Sequence, residues 1–470
     1  MIVFLLAVVC LISGYAVYGR VVEKVFGADE KKVTPAVEKC DNVDFMVLPT
    51  WRIFLIQFLN IAGLGPVFGA ILGALYGPIA LFWIVLGSIF AGGVHDYMAG
   101  MISVRNGGKS LVPLVEKYMG SEIKTVFLIF MVLFLLLLGA VFAMSPAHMI
   151  ADLFKVEFAW CLAAVFLYYF LATLLPIDKI IGKFYPFFAL LLIGVTVALM
   201  VVLFTCGQEF YPQLTLANLH PQGLPVFPLM FVTIACGALS GFHATQSPLM
   251  ARCLQNEKYG RSIFYGAMIT EGIVALMWAT LGMAFYGGSG GLAETINHSG
   301  PGGVVSEVSK GFLGNVGGMF AIIAVILLSI TSGDTAFRSA RLTIADYWLK
   351  DNQTLKKRIL ISIFVLSGGI AMSFFDLTVI WTYFGWANQS LATVTLWMAT
   401  FYLEKHKKCY WLTLVPAGFI TSVCVTYILY DKIGFRLPLS LSTAIGTVVA
   451  VLCVVSFIFK HYKTHKINSK

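Results

Sequence analysis

Residues 61–66 read Ile61-Ala62-Gly63-Leu64-Gly65-Pro66 and sit in the middle of an apolar run, 53–77, that is long enough to cross a bilayer. Proline removes a backbone donor, and glycine loosens the helix on either side of it. In hydrocarbon, an opened backbone is tolerated only where it is buried in protein or lines a cavity. A second run, 227–247, has a comparable interruption, Gly237-Ala238-Leu239-Ser240-Gly241-Phe242-His243. Close helix packing through small residues accounts for Gly237 and Gly241, four apart, as well as a break does. The Gly-x-Gly-Pro text at 63–66 favours a break.

The rest of the chain sets these two runs in a membrane. Of its 470 residues, 59% are hydrophobic and only 12% charged, with a mean hydropathy of +0.87. A soluble protein of this size needs a charged exterior that the composition cannot supply. Soluble enzyme, nucleic-acid binder and secreted disulfide scaffold are thereby excluded. The net charge of +9 is spread in short clusters between apolar runs, as in basic loops flanking membrane spans. Nine cysteines without C-x-x-C spacing, among them Cys161, Cys236, Cys424 and Cys453, read as small buried apolar residues. No metal or cofactor motif is present. The glycine string 287–291 has neither a preceding strand nor a suitably spaced acidic residue, so it is no dinucleotide fingerprint. Residues 2–19 have no basic residue ahead of them and read as a retained first span rather than a signal peptide.

Windows of about 20 apolar residues, the length a hydrocarbon core requires, recur near 2–19, 53–77, 79–98, 125–145, 158–175, 186–206, 227–247, 262–286, 317–334, 357–375, 377–402, 410–430 and 437–459. Thirteen crossings sort the 32 lysines and arginines into 28 on one side and 4 on the other, the four being Lys155, Lys310, Lys432 and Arg436. By the positive-inside rule the N-terminus is outside and the C-terminus cytoplasmic. The segment 287–316 then reads as a flexible extracellular loop. The stretch 335–350 (TAFRSARLTIADYWLK) is amphipathic enough to lie along the inner membrane face.

Spans two to six form a set of five, and spans seven to eleven a second set. Five is odd, so the second set enters from the opposite side, and each set opens with an interrupted helix. Paired broken helices in two inverted halves point to a transporter's central site. The expected organisation is a first helix and cytoplasmic loop at 1–50, inverted repeats at 51–206 and 207–403, and two accessory helices with a basic tail at 404–470.

Ionisable and polar groups inside the spans are functional suspects. Glu271 lies roughly 14 Å into the eighth span, with Ser262, Gly266 and Gly272 nearby and no cation evident to pair with it. Desolvation favours its protonated form, which suits a proton carrier. A protonated glutamate bonded to a neighbouring helix fits equally. Gln57 and Asn60 precede the first break on one helix face, and His243 lies in the second. A lone histidine is also readily satisfied by a carbonyl. Trp386, Asn388 and Gln389 form a polar-aromatic patch in the eleventh span. Ser329, Thr331, Ser332 and Asp334 offer oxygen donors for a cation such as sodium, or bond back to their own helix. His95, Asp96 and Arg105 form either an interfacial cap or a charge-paired inner gate.

IAGLGPVFGAILGALYGP (61–78), GGVHDYMAGMISVRNGGKSL (92–111), VTIACGALSGFHATQSP (232–248) and the Met268–Gly272 context of Glu271 resemble the carbon starvation protein A family. The likeness covers most of 50–280, weakens beyond about 340, and suggests a short member. It implies a plasma-membrane carrier for peptides or pyruvate-like carboxylates in the carbon-starvation response, driven by protons. It also implies kinship with transporters of the five-plus-five inverted-repeat, LeuT-like fold. The expected site takes backbone groups of Gly63, Gly65, Gly237, Ser240 and Gly241 for a carboxylate, and the side chains of Gln57, Asn60, His243, Trp386 and Asn388 for the rest of the substrate. Glu271 is the expected proton carrier. The partners are then a small substrate, a coupling proton or sodium ion and the lipid bilayer. A channel and a membrane nutrient sensor are the competing classes. Neither a pore-ring motif nor an output domain is visible for them.

Overall fold

The apolar runs fold into helices because, without water, each backbone N–H and C=O must be satisfied within its own segment. The computed structural model describes residues 1–174, 181–348 and 354–468; Lys179, Lys350 and Lys470 of the charge count lie outside the described residues. Among the described residues there is no β-strand. The principal helices are α1 (Ile2–Ala16), α2 (Thr50–Ala62), α3 (Ile79–Gly87), α4 (Gly93–Arg105), α5 (Lys124–Phe154), α6 (Phe158–Leu174), α7 (Ile181–Thr205), α8 (His243–Ala251), α9 (Gly266–Phe285), α10 (Ser289–Trp348), α11 (Leu355–Met372), α12 (Leu377–Lys405), α13 (Trp411–Tyr430) and α14 (Leu439–Asn468).

Eight helical stretches among the described residues are long and apolar enough to cross a membrane. A ninth is added if the bent pair Thr50–Ala62 and Gly65–Tyr76 counts as one span. The remaining expected windows coincide with helices of other character. Helix α6 is short, and α8 follows an unwound stretch. Lys356, Lys357 and Arg358 open α11, and Asn388 and Gln389 interrupt the apolarity of α12. Helix α10 packs along α5 and α7, and α9 packs against α2. Helices α13 and α14 pack on each other, with α13 against α12. The apolar windows of the stretch Ile2–Phe26, which begins with α1, and of α14 are only 22% buried, which makes these two the lipid-facing periphery around a buried centre.

Two local expectations are corrected. Residues 287–316 are not an irregular loop. Helix starts at Ser289 and is bent at Gly300 (φ 63°) and Gly314 (φ 67°). Leu292, Val304, Val305 and Val308 are buried, so apolar anchors at helical spacing hold the segment on the protein. The stretch from 335 to 348 does not lie along the membrane face either. It continues α10, with Phe337, Arg338, Arg341 and Ile344 all buried, because its charged positions find partners inside the protein. Cys453 is exposed on α14, whereas Cys161, Cys236 and Cys424 are buried as expected.

The two ends of the bundle differ in character. At one end, basic and acidic side chains bind separate segments together: Arg105 to Glu257 and to the Gly27 carbonyl, Arg261 to Glu23, Arg252 to Asp346, and Lys408 to the Phe26 carbonyl. The loop before α2 crosses this end. Asp44 lies 3.4 Å from both Arg341 and Arg358, and the Met46 and Leu48 amides donate to the Arg252 and Cys253 carbonyls. Burial pushes the Asp44 carboxyl up, but the guanidiniums of Arg341, Arg252, Arg338 and Arg358 outweigh it and hold it below the usual carboxylate range. The opposite end is held by hydrogen bonds from neutral donors, such as the Leu219 amide on the Tyr76 carbonyl, the Ser289 hydroxyl on the Leu219 carbonyl and the Tyr286 hydroxyl on the Glu307 carboxylate.

Candidate functional site

Helix α2 stops where Gly63 takes φ +47° and ψ −150°, a conformation costly for any residue with a Cβ. The chain resumes as a π-helical turn, Gly65–Gly69, whose first turn holds Pro66 at a position where its missing N–H costs nothing. The two halves are bent by 54°. The second interrupted helix runs through Val226–Met230 and Phe231–Thr233, ends at Ile234 (φ −93°, ψ 48°) and resumes only at His243. Backbone opened in this way needs partners from elsewhere. The Ser88 hydroxyl donates to the Gly237 carbonyl at 2.9 Å. Asn388 Oδ1 accepts from the Phe242 amide at 2.8 Å and from the Ser240 hydroxyl at 3.1 Å. Gln389 Nε2 donates to the Phe231 carbonyl at 2.9 Å.

The two breaks touch. A Cβ on Gly65 would coincide with the Cys236 side chain, so only glycine permits this approach. At the contact lies a cavity of about 330 Å³, whose wall includes Gly65, Gly69, Tyr76, Cys236, Trp381 and Phe384. His220 and Asn297 line it from the segments at the end of the bundle opposite Asp44. Among the described residues, its wall holds no Asp, Glu, Lys or Arg. Its size is at the lower end of small-molecule sites, which run from about 300 to 1,000 Å³.

Behind the second break, four fully buried ionisable groups form a chain. His95 Nδ1 is 2.8 Å from Asp96 Oδ1, and His243 Nδ1 is 2.9 Å from Asp96 Oδ2. His243 Nε2 is 3.3 Å from Glu271 Oε2. Glu271 therefore has a basic group within ion-pair distance, on a different run that local spacing does not link to it, although neither carboxylate oxygen makes a hydrogen bond. Among the described residues, no group of three or more His, Cys, Asp and Glu is arranged to hold a metal ion, and this chain is no exception.

The other singled-out residues divide. Gly63 and Gly65 form the first break, and Gly237, Ser240 and Gly241 lie in the second. Gln57 donates to the Ser247 hydroxyl at 3.2 Å. Asn60 is fully buried, and among the described residues neither its amide oxygen nor its nitrogen has a hydrogen-bond partner. Asn388 is occupied in holding the second break, and Trp386 donates to the Cys424 carbonyl at 3.2 Å, committed to α13. Of the oxygen-rich run, Ser332 alone meets the first broken helix, its hydroxyl 3.4 Å and 3.5 Å from the Leu59 and Asn60 carbonyls. Ser329 bonds the Phe142 carbonyl, Thr331 bonds back to Leu328, and Asp334 accepts from Tyr185 at 2.6 Å. The expected trio His95–Asp96–Arg105 does not assemble. Arg105, about ten residues further along α4, turns to Glu257 instead. Ser88, Cys236, Tyr76 and Trp381 were not anticipated as site residues. Cys236 had a signal, directly preceding Gly237 at the start of the interruption. Ser88 had none.

The family profile described as carbon starvation protein CstA matches residues 1–151, 144–286 and 287–427. The chain belongs to the CstA family. The match runs well past residue 340, where the resemblance in letters fades. A membrane protein of Haemophilus influenzae is 44% identical over 63% of this chain and 94% of its own length. The peptide transporter CstA of Campylobacter jejuni is 25% identical over 96% of this chain and 82% of that one. The pyruvate/proton symporter BtsT of Escherichia coli is 27% identical over 56% of this chain and 46% of that one. In fold, the chain is similar to a manganese transporter mutant of Eremococcus coleocola (TM-score 0.58, 12% identity, 90% of this chain and 98% of that one). It is also similar to a Na⁺-coupled sialic acid symporter (TM-score 0.53, 11% identity, 94% and 96%). The named relatives of this all-helical membrane protein are transporters rather than enzymes.

Proposed function

We propose that this CstA-family protein is a secondary active transporter that imports small nutrients, peptides or pyruvate-like carboxylates, across the plasma membrane with a proton. The observation that carries the reading is the cavity where the two interrupted helices meet, with Glu271 buried behind it. Unwound backbone at the midplane supplies amide groups to a substrate carboxylate without the desolvation cost of a buried lysine or arginine. Gly63, Gly65, Gly237, Ser240 and Gly241 fill that role here. Asn60, buried without a partner of its own, supplies donors and an acceptor to the substrate. Gln57 adds to it, and Asn388 and Trp386 shape the surroundings.

Thirteen crossings make up the transporter: a first helix (1–50), two inverted repeats (51–206 and 207–403) and two accessory helices (404–470). The N-terminus is outside and the C-terminus cytoplasmic. The cavity then opens outward, and the charged end with Asp44 is the closed cytoplasmic side. Alternating access is a rocking of one helix bundle about the site. Glu271 carries the coupling proton. Sodium is the second candidate, favoured only by the Ser332 hydroxyl beside the Leu59 and Asn60 carbonyls.

In proteoliposomes, Glu271→Gln should cut proton-driven accumulation by about two orders of magnitude, the scale of a lost proton-transfer group, while substrate exchange continues. Accumulation at the wild-type level would contradict the role of Glu271.

A further inference from the structure

We infer that Asp96 is a positioning residue for proton coupling: it holds His243 so that one proton passes between Glu271 and His243. The inference rests on the proton-coupled reading above and adds residues to it. An ionised carboxylate has no proton to donate, so each imidazole that bonds it must present an N–H. Asp96 uses one oxygen for each ring, Oδ1 for His95 and Oδ2 for His243, and both rings approach through Nδ1. In a neutral imidazole the other nitrogen is then an acceptor. For His243 that nitrogen is Nε2, which lies 3.3 Å from Glu271 Oε2 with no hydrogen bond formed between them in this structure, so a small turn of either side chain completes the transfer geometry.

The transfer balances without any further reactant. The O–H bond of protonated Glu271 breaks and an N–H bond forms on His243 Nε2, leaving a carboxylate and an imidazolium; the return step reverses both. Asp96 never takes the proton. Its charge faces the imidazolium from the Nδ1 side and stabilises it as it forms, as the aspartate of a catalytic triad does for its histidine. All four side chains are fully buried, so this countercharge acts with little screening by water. The titratable groups packed around His243 are Asp96 from α4, Glu271 from α9 and the Cys236 thiol from the unwound segment, with His95 held on the far side of Asp96. This arrangement also accounts for why His95 and Asp96 lie beside the second break while Arg105 is engaged elsewhere.

The test uses Asp96→Asn in the full-length protein, since an alanine would strand two buried histidines and risk misfolding. An asparagine offers one acceptor oxygen and one donor nitrogen, so it can accept an Nδ1–H from one ring only. The other ring must turn or expose a bare Nδ1. Nitrogen-15 spectra of histidine-labelled protein in nanodiscs, assigned with His95→Gln and His243→Gln, should show both Nδ1 atoms protonated in the wild type. One of them should be bare in Asp96→Asn. In proteoliposomes, proton-driven accumulation by Asp96→Asn should fall tenfold or more, while counterflow falls less than threefold; Asp96→Glu should recover part of the accumulation. Unchanged histidine spectra overturn the inference, as does wild-type accumulation by Asp96→Asn. Equal loss of accumulation and counterflow in a folded variant makes Asp96 merely structural and overturns it too. A wild-type protein that exchanges substrate but ignores the proton gradient overturns proton coupling itself, and this inference with it.

Discussion

The contact between the two broken helices gives the sharpest prediction. Replacing Gly65 by alanine puts a methyl group where the Cys236 Cβ and Sγ already are. Neither partner can swing aside, because the atoms concerned lie at or next to the backbone. Overpacking of this kind costs about 1–3 kcal/mol, and coincidence with a Cβ belongs at the upper end of that range. Cys236→Gly removes both offending atoms, so the double variant should recover most of the loss. The expected coupling energy is about 2 kcal/mol, well within the range for residues in direct contact. Cys236→Ala keeps the Cβ and should relieve little. Thermal unfolding of the purified protein and initial uptake rates in proteoliposomes would be read for the four members of the cycle. Gly65→Ala behaving as wild type would refute the close approach. Additive effects of Gly65→Ala and Cys236→Gly would refute it equally.

Three further expectations follow from other residues. Asp44→Asn should destabilise by about 3–5 kcal/mol at pH 7, the cost of leaving buried cations without their anion. Since the Asp44 carboxyl is held below its ordinary range, its contribution is present above the unfolded value of about 3.9 and is lost as pH falls through the folded one. The deficit should therefore be equal at pH 7 and pH 5, and fading between those two in unfolding curves would contradict the assignment. With exposed Cys10, Cys40, Cys206, Cys409 and Cys453 replaced by serine, a small membrane-impermeant thiol reagent added from the cavity side should label Cys236. Substrate should slow this labelling, and labelling at an equal rate with and without substrate would place the substrate elsewhere. Asn60→Ala should leave the unfolding midpoint unreduced, because no partner among the described residues loses a bond, yet weaken substrate affinity about tenfold, the worth of about one good hydrogen bond. A fall in stability with affinity intact would make Asn60 structural.

Hydropathy and charge locate the long apolar helices, since period and length are local properties, but not the short ones at Tyr18–Phe26 and Leu111–Met119 or the helix beginning at Ser289. The Gly63–Pro66 break was legible because proline and glycine act on their own backbone. What stayed hidden was joined by tertiary structure alone. Glu271, His243 and Asp96 belong to three different runs, and no spacing rule links them. Asp44 stands in an unremarkable polar loop, and its importance comes from arginines some 300 residues later in the chain. The segments 287–316 and 335–348 were misjudged for a related reason. Glycine content and charge describe what a segment tolerates in water, while burial against other helices decided their form.

The most direct test of the transporter reading is uptake by proteoliposomes holding the purified protein. Labelled pyruvate and a mixed pool of di- and tripeptides would be offered under separate inward proton and sodium gradients. Accumulation of one of these substrates that collapses when the proton gradient is dissipated, and is indifferent to sodium, is the predicted result. No accumulation under either gradient by correctly inserted protein would contradict it and favour a sensing role.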